Sequence, residues 1–371
     1  MISLLYSSLV AFCVSACVMP IASKLSRRLG AVSETGGRHV GEVPIGRLGG
    51  IGVLLGCLVA LFFNVWANVS FRNALTDYQI QAAGISIGLM IVATVGFWDD
   101  ISRLTATVKF VSQIVATLVL YGSGVRISAI DLPLFEAFQL GWFSLPVTLL
   151  WVVGIINAVN LIDGLDGLAG GVLLFASMIN LVVACVSNSI ITAILMSTAF
   201  GAVAGFLLFN WYPAKIYLGD GGAYSMGFII AVSGLISPMH KVSTGIAIIV
   251  PVLAAGLPII DTMLVVIRRV VNRRGIFSAD RGHLHHLLLD SGMSHRRVVI
   301  GLYFTCSLFC SIALTLVFHR NRNLGFFLIA VSLIGAIFWG LGVKKQLKLS
   351  LSKFCQGILE FKKDSNSDKF K

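Results

Sequence analysis

Charge is scarce in this chain. Of its 371 residues only 12% are Asp, Glu, Lys or Arg, against 57% hydrophobic, and the mean hydropathy is +0.92. So few charges cannot solvate a soluble domain of this length, which excludes an ordinary cytosolic enzyme and leaves a polytopic membrane protein. Cysteine is thinly spread as well. Cys13, Cys17, Cys57, Cys185, Cys306 and Cys310 lie in apolar runs and Cys355 in a polar tail, with no CxxC pair, so neither a disulfide framework nor a zinc site is expected. The GxxxxGK[ST] phosphate loop is absent, as is any repeat of about 20–50 residues. No basic stretch precedes the first apolar run, while Lys24, Arg27 and Arg28 follow it, which suits a retained span better than a cleaved signal.

What the sequence does hold is eleven apolar runs, near 2–22, 47–66, 79–98, 108–122, 143–161, 168–186, 190–209, 222–237, 244–267, 298–318 and 324–343. Each is long enough, or nearly so, to cross a hydrocarbon core of about 30 Å. The expectation is an all-α polytopic membrane protein of about 11 transmembrane helices. Residues 1–343 would form one integral-membrane unit and 344–371 a basic cytoplasmic tail. With the N-terminus outside, the inner segments and the tail hold 23 of the 28 Lys and Arg residues, and the outer segments keep only Arg72, Arg126, Lys241, Arg320 and Arg322. That asymmetry predicts an outer N-terminus and a cytoplasmic C-terminus. Residues 123–142, with Gly122, Gly124, Pro133 and Gly141 around short apolar pieces, predict a small outer hairpin.

Asp99, Asp100, Asp163, Asp166 and Asp220 all fall at the predicted cytoplasmic ends of spans, where a charge is cheaper than at mid-bilayer yet still partly desolvated. Asn157 to Gly171 reads NAVNLIDGLDGLAGG and sets Asn157, Asn160, Asp163 and Asp166 at intervals of three. At about 100° per residue one straight helix cannot aim all four at one point. The glycines suggest a helix that ends near Leu161 and opens into a loop whose bare backbone a ligand can approach. The bland alternative is an interhelical turn in which Asp166 caps the next helix, and it leaves the other three idle.

Adjacent Asp99 and Asp100 in GFWDDISRL repel each other unless a cation intervenes, and Lys109 ten residues on is a candidate, as is a divalent metal. Asp220 sits between glycines in YLGDGG, with Asn210 ten residues earlier, leaving room for phosphate or hydrated Mg²⁺. Read blandly, these are a solvated helix end and a common Gly-Asp-Gly turn. Arg268 to Arg297 is dense in Arg and carries His283, His285 and His286, a set suited to clamping a diphosphate but without zinc-site spacing. Its bland reading is a positive-inside loop, and His295, nearer the next span, is expected to matter less. A second Gly-rich loop, GGRHVGEVPIGRLGG at Gly36 to Gly50, offers Arg38, His39 and Arg47 to phosphate.

Taken together, the DD at Asp99–Asp100, NxxNxxDGxDGL at Asn157–Leu168, Asn210 followed by the GD at Asp220, and DRxHxHH at Asp280–His286 resemble the polyprenyl-phosphate N-acetylhexosamine-1-phosphate transferases of glycosyltransferase family 4. The likeness runs from about Arg38 to Arg297. The HxHH form is similar to the WecA-type members rather than to MraY, but Arg103 stands where WecA-type sequences usually carry an acid. The resemblance implies transfer of a sugar phosphate, by default GlcNAc-1-phosphate, from a UDP-N-acetylhexosamine to undecaprenyl phosphate, with release of UMP, in the bacterial inner membrane. The product would feed a cell-envelope polysaccharide such as O-antigen. It implies Mg²⁺, with Mn²⁺ as a substitute, held by Asp220 and Asp100, and catalytic roles for Asp99, Asp100, Asp163 and Asp166. Substrate contacts fall to Asn157, Asn160, Asn210, Tyr217, Lys109, Arg281, His283, His285 and His286. Membrane lipid is a partner, nucleic acid is not, and a homodimer is compatible. The alternative from another class is an ion-coupled transporter. Transporter sites, however, sit near the midplane and between repeats, and here the acids gather at one surface.

Overall fold

A computed structural model describes residues 2–33, 44–130, 138–236, 256, 288–290, 292–317 and 329–334. Its helices are α1 (Ile2–Leu29), α2 (Gly49–Ala67), α3 (Val69–Asp77), α4 (Gln79–Ser102), α5 (Ala106–Gly122), α6 (Ser144–Ile162), α7 (Leu168–Val186), α8 (Ile190–Asn210), α9 (Gly219–Ile236) and α10 (His295–Val317). Among the described residues seven helical segments are long and apolar enough to cross a membrane, and α5 is a shorter apolar helix. This is a helical, polytopic membrane protein. The apolar run 244–267 lies outside the described residues except for Gly256, and of 324–343 only 329–334 are described.

Two helices outrun the apolar stretches that predict them. α1 continues to Leu29, with Arg27 and Arg28 in its last turn where the helix dipole favours cations, and stops at Gly30 in the left-handed region. α4 continues to Ser102, which carries Asp99 and Asp100 into its final turn. One helix, α3, was not expected. Its sequence VSFRNALTD is too polar for a span, but the Asn68 side chain accepts the Phe71 amide and caps it. Within the segment predicted to form a hairpin, β1 (Ala129–Ile130) pairs antiparallel with β2 (Phe138–Gln139).

The bundle is built around α9, in which every residue from Gly219 to Ile236 is buried. α4, α6 and α2 pack directly on it, α1 and α7 lean on α8, α5 touches α4 and α6, and α10 lies on α7. Close approach rests on small residues. A Cβ on Gly50 would collide with Gly222, and one on Gly96 with Gly221, so α2 and α4 meet α9 backbone to backbone. Outward-facing Phe62, Met90 and Leu150 are exposed as lipid-facing side chains would be. Trp66, Trp142 and Phe143 stand exposed at the end away from the acids, in keeping with an interfacial aromatic belt.

Candidate active site

At one end of the bundle the chain brings together residues from five segments. The last turn of α4 supplies Asp99 and Asp100, and the short turn into α5 is fastened by Asp99, whose Oδ1 accepts the Leu104 amide at 2.6 Å. Thr105 caps α5 through the Val108 amide, and one turn further Lys109 returns to Asp99. Its Nζ donates to Asp99 Oδ2 at 2.8 Å and to Asp220 Oδ2 at 3.1 Å. Lys109 therefore bridges the end of α4 and the start of α9.

Asp100 faces the other way. Its two oxygens accept the Asp220 and Gly221 amides, each at 2.9 Å, so a carboxylate caps the positive end of α9. That contact needs Gly219: its φ is +77°, and a Cβ there would strike the Arg47 carbonyl and crowd the Asp100 carboxylate. Asp100 was expected to bind metal. With both oxygens committed to amides, its contact with any cation is left to its remaining lone pairs.

Asp220 is the point of convergence. Arg47 Nη2 donates to its Oδ1 at 3.2 Å, while Lys109 and the Tyr224 hydroxyl share Oδ2 at 3.1 and 3.2 Å. Arg47 also lies 3.7 Å from Asp100 Oδ1. It reaches this position because its loop is stitched to the segment before α9. The Tyr217 amide donates to Gly46 O at 2.8 Å, and the Gly49 and Gly50 amides donate to Tyr217 O and Leu218 O at 2.9 and 2.8 Å. Asp99, Asp100 and Asp220 are buried, and Tyr217 is half-buried.

The Asp163 loop closes a neighbouring side. α6 ends at Ile162, one residue from the expected break, and the Asp163 amide donates to Asn160 O. Asp163 retains some exposed surface, yet enough protein surrounds it that desolvation, reinforced by the Asp220 carboxylate, pushes its carboxyl up to about 7. Asp166 Oδ2 accepts the Ala214 amide at 2.9 Å. Gly167, at φ +80°, donates its amide to Asn210 Oδ1 at 2.9 Å, and Asn210 Nδ2 donates to Ile216 O at 2.9 Å. Asn210 is thus a buried brace between two loops. Asn157 sits deeper, donating to Gln113 Oε1 at 2.6 Å and to Val153 O. Asn160 is half-buried in the last turn of α6.

The structure gathers Asp99, Asp100, Asp220 and Lys109 in direct contact, with Asp163 beside Asp220. Asn157 and Asn210 bond to protein groups, and Arg281, His283, His285 and His286 lie outside the described residues. Sequence reading did not pair Arg47 with Asp220, nor include Gln113 or Tyr224. It also set His295 apart, whereas its Nε2 lies 3.2 Å from the Asp166 carbonyl and its ring stacks on Tyr212 at 4.6 Å. Tyr303, on α10, donates to the Gly167 carbonyl. A hydrophobic span hides such partners, because nothing in its spacing marks them.

Among the described residues no three His, Cys, Asp or Glu side chains are set to hold a metal ion by themselves. Mg²⁺ commonly takes only one or two protein carboxylates and completes its shell with water and substrate phosphate. Asp220 and Asp163, set against the two cations Arg47 and Lys109, meet that requirement in kind.

The model of glycosyl transferase family 4 matches residues 82–238. A probable undecaprenyl-phosphate N-acetylglucosaminyl 1-phosphate transferase of Bacillus subtilis is 32% identical, over 85% of this chain and 86% of its own length. A decaprenyl-phosphate N-acetylglucosaminephosphotransferase of Mycobacterium leprae is 30% identical over 81% of this chain and 80% of its own. A phospho-N-acetylmuramoyl-pentapeptide-transferase of Halalkalibacterium halodurans is also 30% identical, over 84% and 97%.

Proposed function

The chain belongs to glycosyl transferase family 4, and from that premise we propose that it transfers N-acetylhexosamine 1-phosphate, by default GlcNAc-1-phosphate, to a polyprenyl phosphate. The observation that carries the reading is Lys109, shared between Asp99 and Asp220 at the end of the bundle where the Asp163 loop and the Arg47 loop also meet. Charges of both signs concentrated there suit a ligand rich in phosphate. The ion-coupled transporter reading gains no support from these relatives.

In the proposed reaction a UDP-N-acetylhexosamine is the donor and undecaprenyl phosphate the acceptor. An acceptor phosphate oxygen attacks the sugar-bearing phosphorus, its bond to the UMP oxygen breaks, and UMP leaves with the electron pair. Transfer of this kind depends on positioning and on neutralising the phosphate oxygens. Lys109 and Arg47 provide cations for that purpose, and Asp99 orients Lys109. A carboxyl near 7, as at Asp163, can take the last proton of a phosphate monoester, whose second ionisation lies near about 6. Bound Mg²⁺, for which Mn²⁺ can substitute, would be held by Asp220 with a second carboxylate and would draw charge from the diphosphate. The reading includes eleven spans, an outer N-terminus and a site facing the cytoplasm at a bacterial inner membrane, supported by the placement of basic residues. It also takes in Arg281 and the three histidines as diphosphate contacts, a cell-envelope polysaccharide such as O-antigen as the destination, and a homodimer as the assembly.

The test is to incubate the purified protein with undecaprenyl phosphate, Mg²⁺ and a panel of UDP-sugars carrying labelled sugar phosphate. The expected result is a lipid-linked product with stoichiometric UMP. Release of UMP without a lipid product, or no turnover of any donor, overturns the reading.

A further inference from the structure

Both oxygens of Asp220 are occupied, Oδ1 by Arg47 at 3.2 Å and Oδ2 by Lys109 and Tyr224 at 3.1 and 3.2 Å. A cation that binds this carboxylate directly must either crowd onto the lone pair that Oδ1 has left, against the charge of the Arg47 guanidinium beside it, or displace that partner. The partners are not held equally. Lys109 rises from a helix and bridges two carboxylates at 2.8 and 3.1 Å. Arg47 stands on a loop, makes one hydrogen bond to Asp220, and has as its second contact Asp100 Oδ1, 3.7 Å away and already accepting an amide. Its backbone is fixed nonetheless, the Arg47 amide donating to Ala31 O at 3.0 Å with Gly46 and Gly49 stitched to Tyr217. The side chain can swing while its anchor stays beside the cluster.

We propose that Arg47 is an internal counter-ion that neutralises Asp220 in the substrate-free protein, yields it to the divalent cation, and turns its guanidinium to a phosphate oxygen of the incoming diphosphate. The proposal rests on the metal-assisted reading above and adds a consequence to it. Arg47 weakens metal binding in the absence of donor and so couples the binding of the two, and by linkage each tightens the other by the same factor. Guanidinium suits the second task, because its planar fork matches phosphate oxygens.

The experiment measures Mn²⁺ binding to full-length protein by electron paramagnetic resonance, with and without UDP-GlcNAc, for the wild type, Arg47→Gln and Arg47→Lys. Arg47→Gln should bind Mn²⁺ alone about 5- to 50-fold more tightly than the wild type, and should lose most of the tightening that UDP-GlcNAc causes. Arg47→Lys keeps a cation and should stay within about twofold of the wild type for Mn²⁺ alone, yet also lose much of the donor-induced tightening. Should Arg47→Gln not fold, Arg47→Lys still decides, since undiminished coupling in that variant overturns the proposal. Equal Mn²⁺ affinity in wild type and Arg47→Gln removes Arg47 and leaves the metal reading standing. A wild type that takes no Mn²⁺ in either condition, with transfer persisting in EDTA, removes both.

Discussion

The two ends of this bundle bury polar side chains to different ends. At one, Asn64 donates to the Ser7 hydroxyl at 2.8 Å and to Ala60 O, and the Ser8 and Ser197 hydroxyls meet at 2.8 Å, joining α1 to α2 and α8. Those groups are neutral, small and matched to each other. At the opposite end Arg47 and Lys109 are, among the described residues, the cations paired with Asp99, Asp100 and Asp220, and Asp163 adds a further carboxyl. Among the described residues carboxylates outnumber cations there rather than matching them. Polar residues in an apolar chain thus divide into those that join helices and those left open to a ligand, and the balance of partners separates them better than burial does.

The largest effect expected is at Asp220. Asp220→Asn keeps the shape and removes the charge on which Arg47 and Lys109 converge, so turnover should fall by about a thousandfold or more while the protein still inserts. Turnover within about tenfold of the wild type would erase the contrast between the two ends. Next comes Lys109→Met, which leaves Asp99 and Asp220 without their shared cation. Activity should drop about a hundredfold and the melting temperature should fall, because an unpaired buried charge is costly. Adding Asp99→Asn should restore melting but not turnover, and recovery of both would make Lys109 a purely structural residue.

Asp163 sharpens the comparison through pH. Its carboxyl titrates near 7 in the folded protein and near 3.9 when unfolded, so ionising it costs stability that is fully present below about pH 4 and lost as pH rises through 7. In the presence of a chelator, Asp163→Asn should therefore melt about 2–5 °C above the wild type at pH 8, with the gap closing near pH 4. A gap that widens on acidification would reverse the sign and discard the shift. The smallest effect lies at the neutral end. Asn64→Leu should cost about 0.6 kcal/mol, as interhelical hydrogen bonds in membranes do on average, and leave turnover per folded molecule unchanged. A large loss of transfer there would mean that the two ends are coupled.

Much of the architecture was legible because lipid demands it. The apolar runs announce α1, α2 and α4 to α9 closely, and glycines forecast the break after α6, seen at Ile162. α3 was missed because its signal is a cap at Asn68 and a single buried aromatic, Phe71, rather than hydrophobicity. Asp99, Asp100 and Asp220 stood out as charges in apolar surroundings, and Lys109 as a candidate cation ten residues after Asp99. Arg47 was named only as one of several basic residues in a loop, since no spacing rule joins it to an aspartate 173 positions away. Asn210 stood out for its distance from Asp220, and the structure gives it a brace between Gly167 and Ile216. A side chain's rarity can be read from sequence, but its hydrogen-bond partners come from tertiary packing.

The burial of α9 along its whole length has a mechanical consequence. Bilayers differ in thickness, and helices that touch lipid respond by tilting or by deforming the membrane around them, at fractions of a kcal/mol per ångström. No residue of α9 is exposed to that stress, which reaches it only through its neighbours, at contacts as short as Gly50 on Gly222 and Gly96 on Gly221. Asp220, at the head of this shielded column, takes its depth from the protein rather than from the surrounding lipid. A reaction between one substrate in water and another in the membrane needs such a fixed datum, so that the two phosphates meet at the same height whatever the lipid composition.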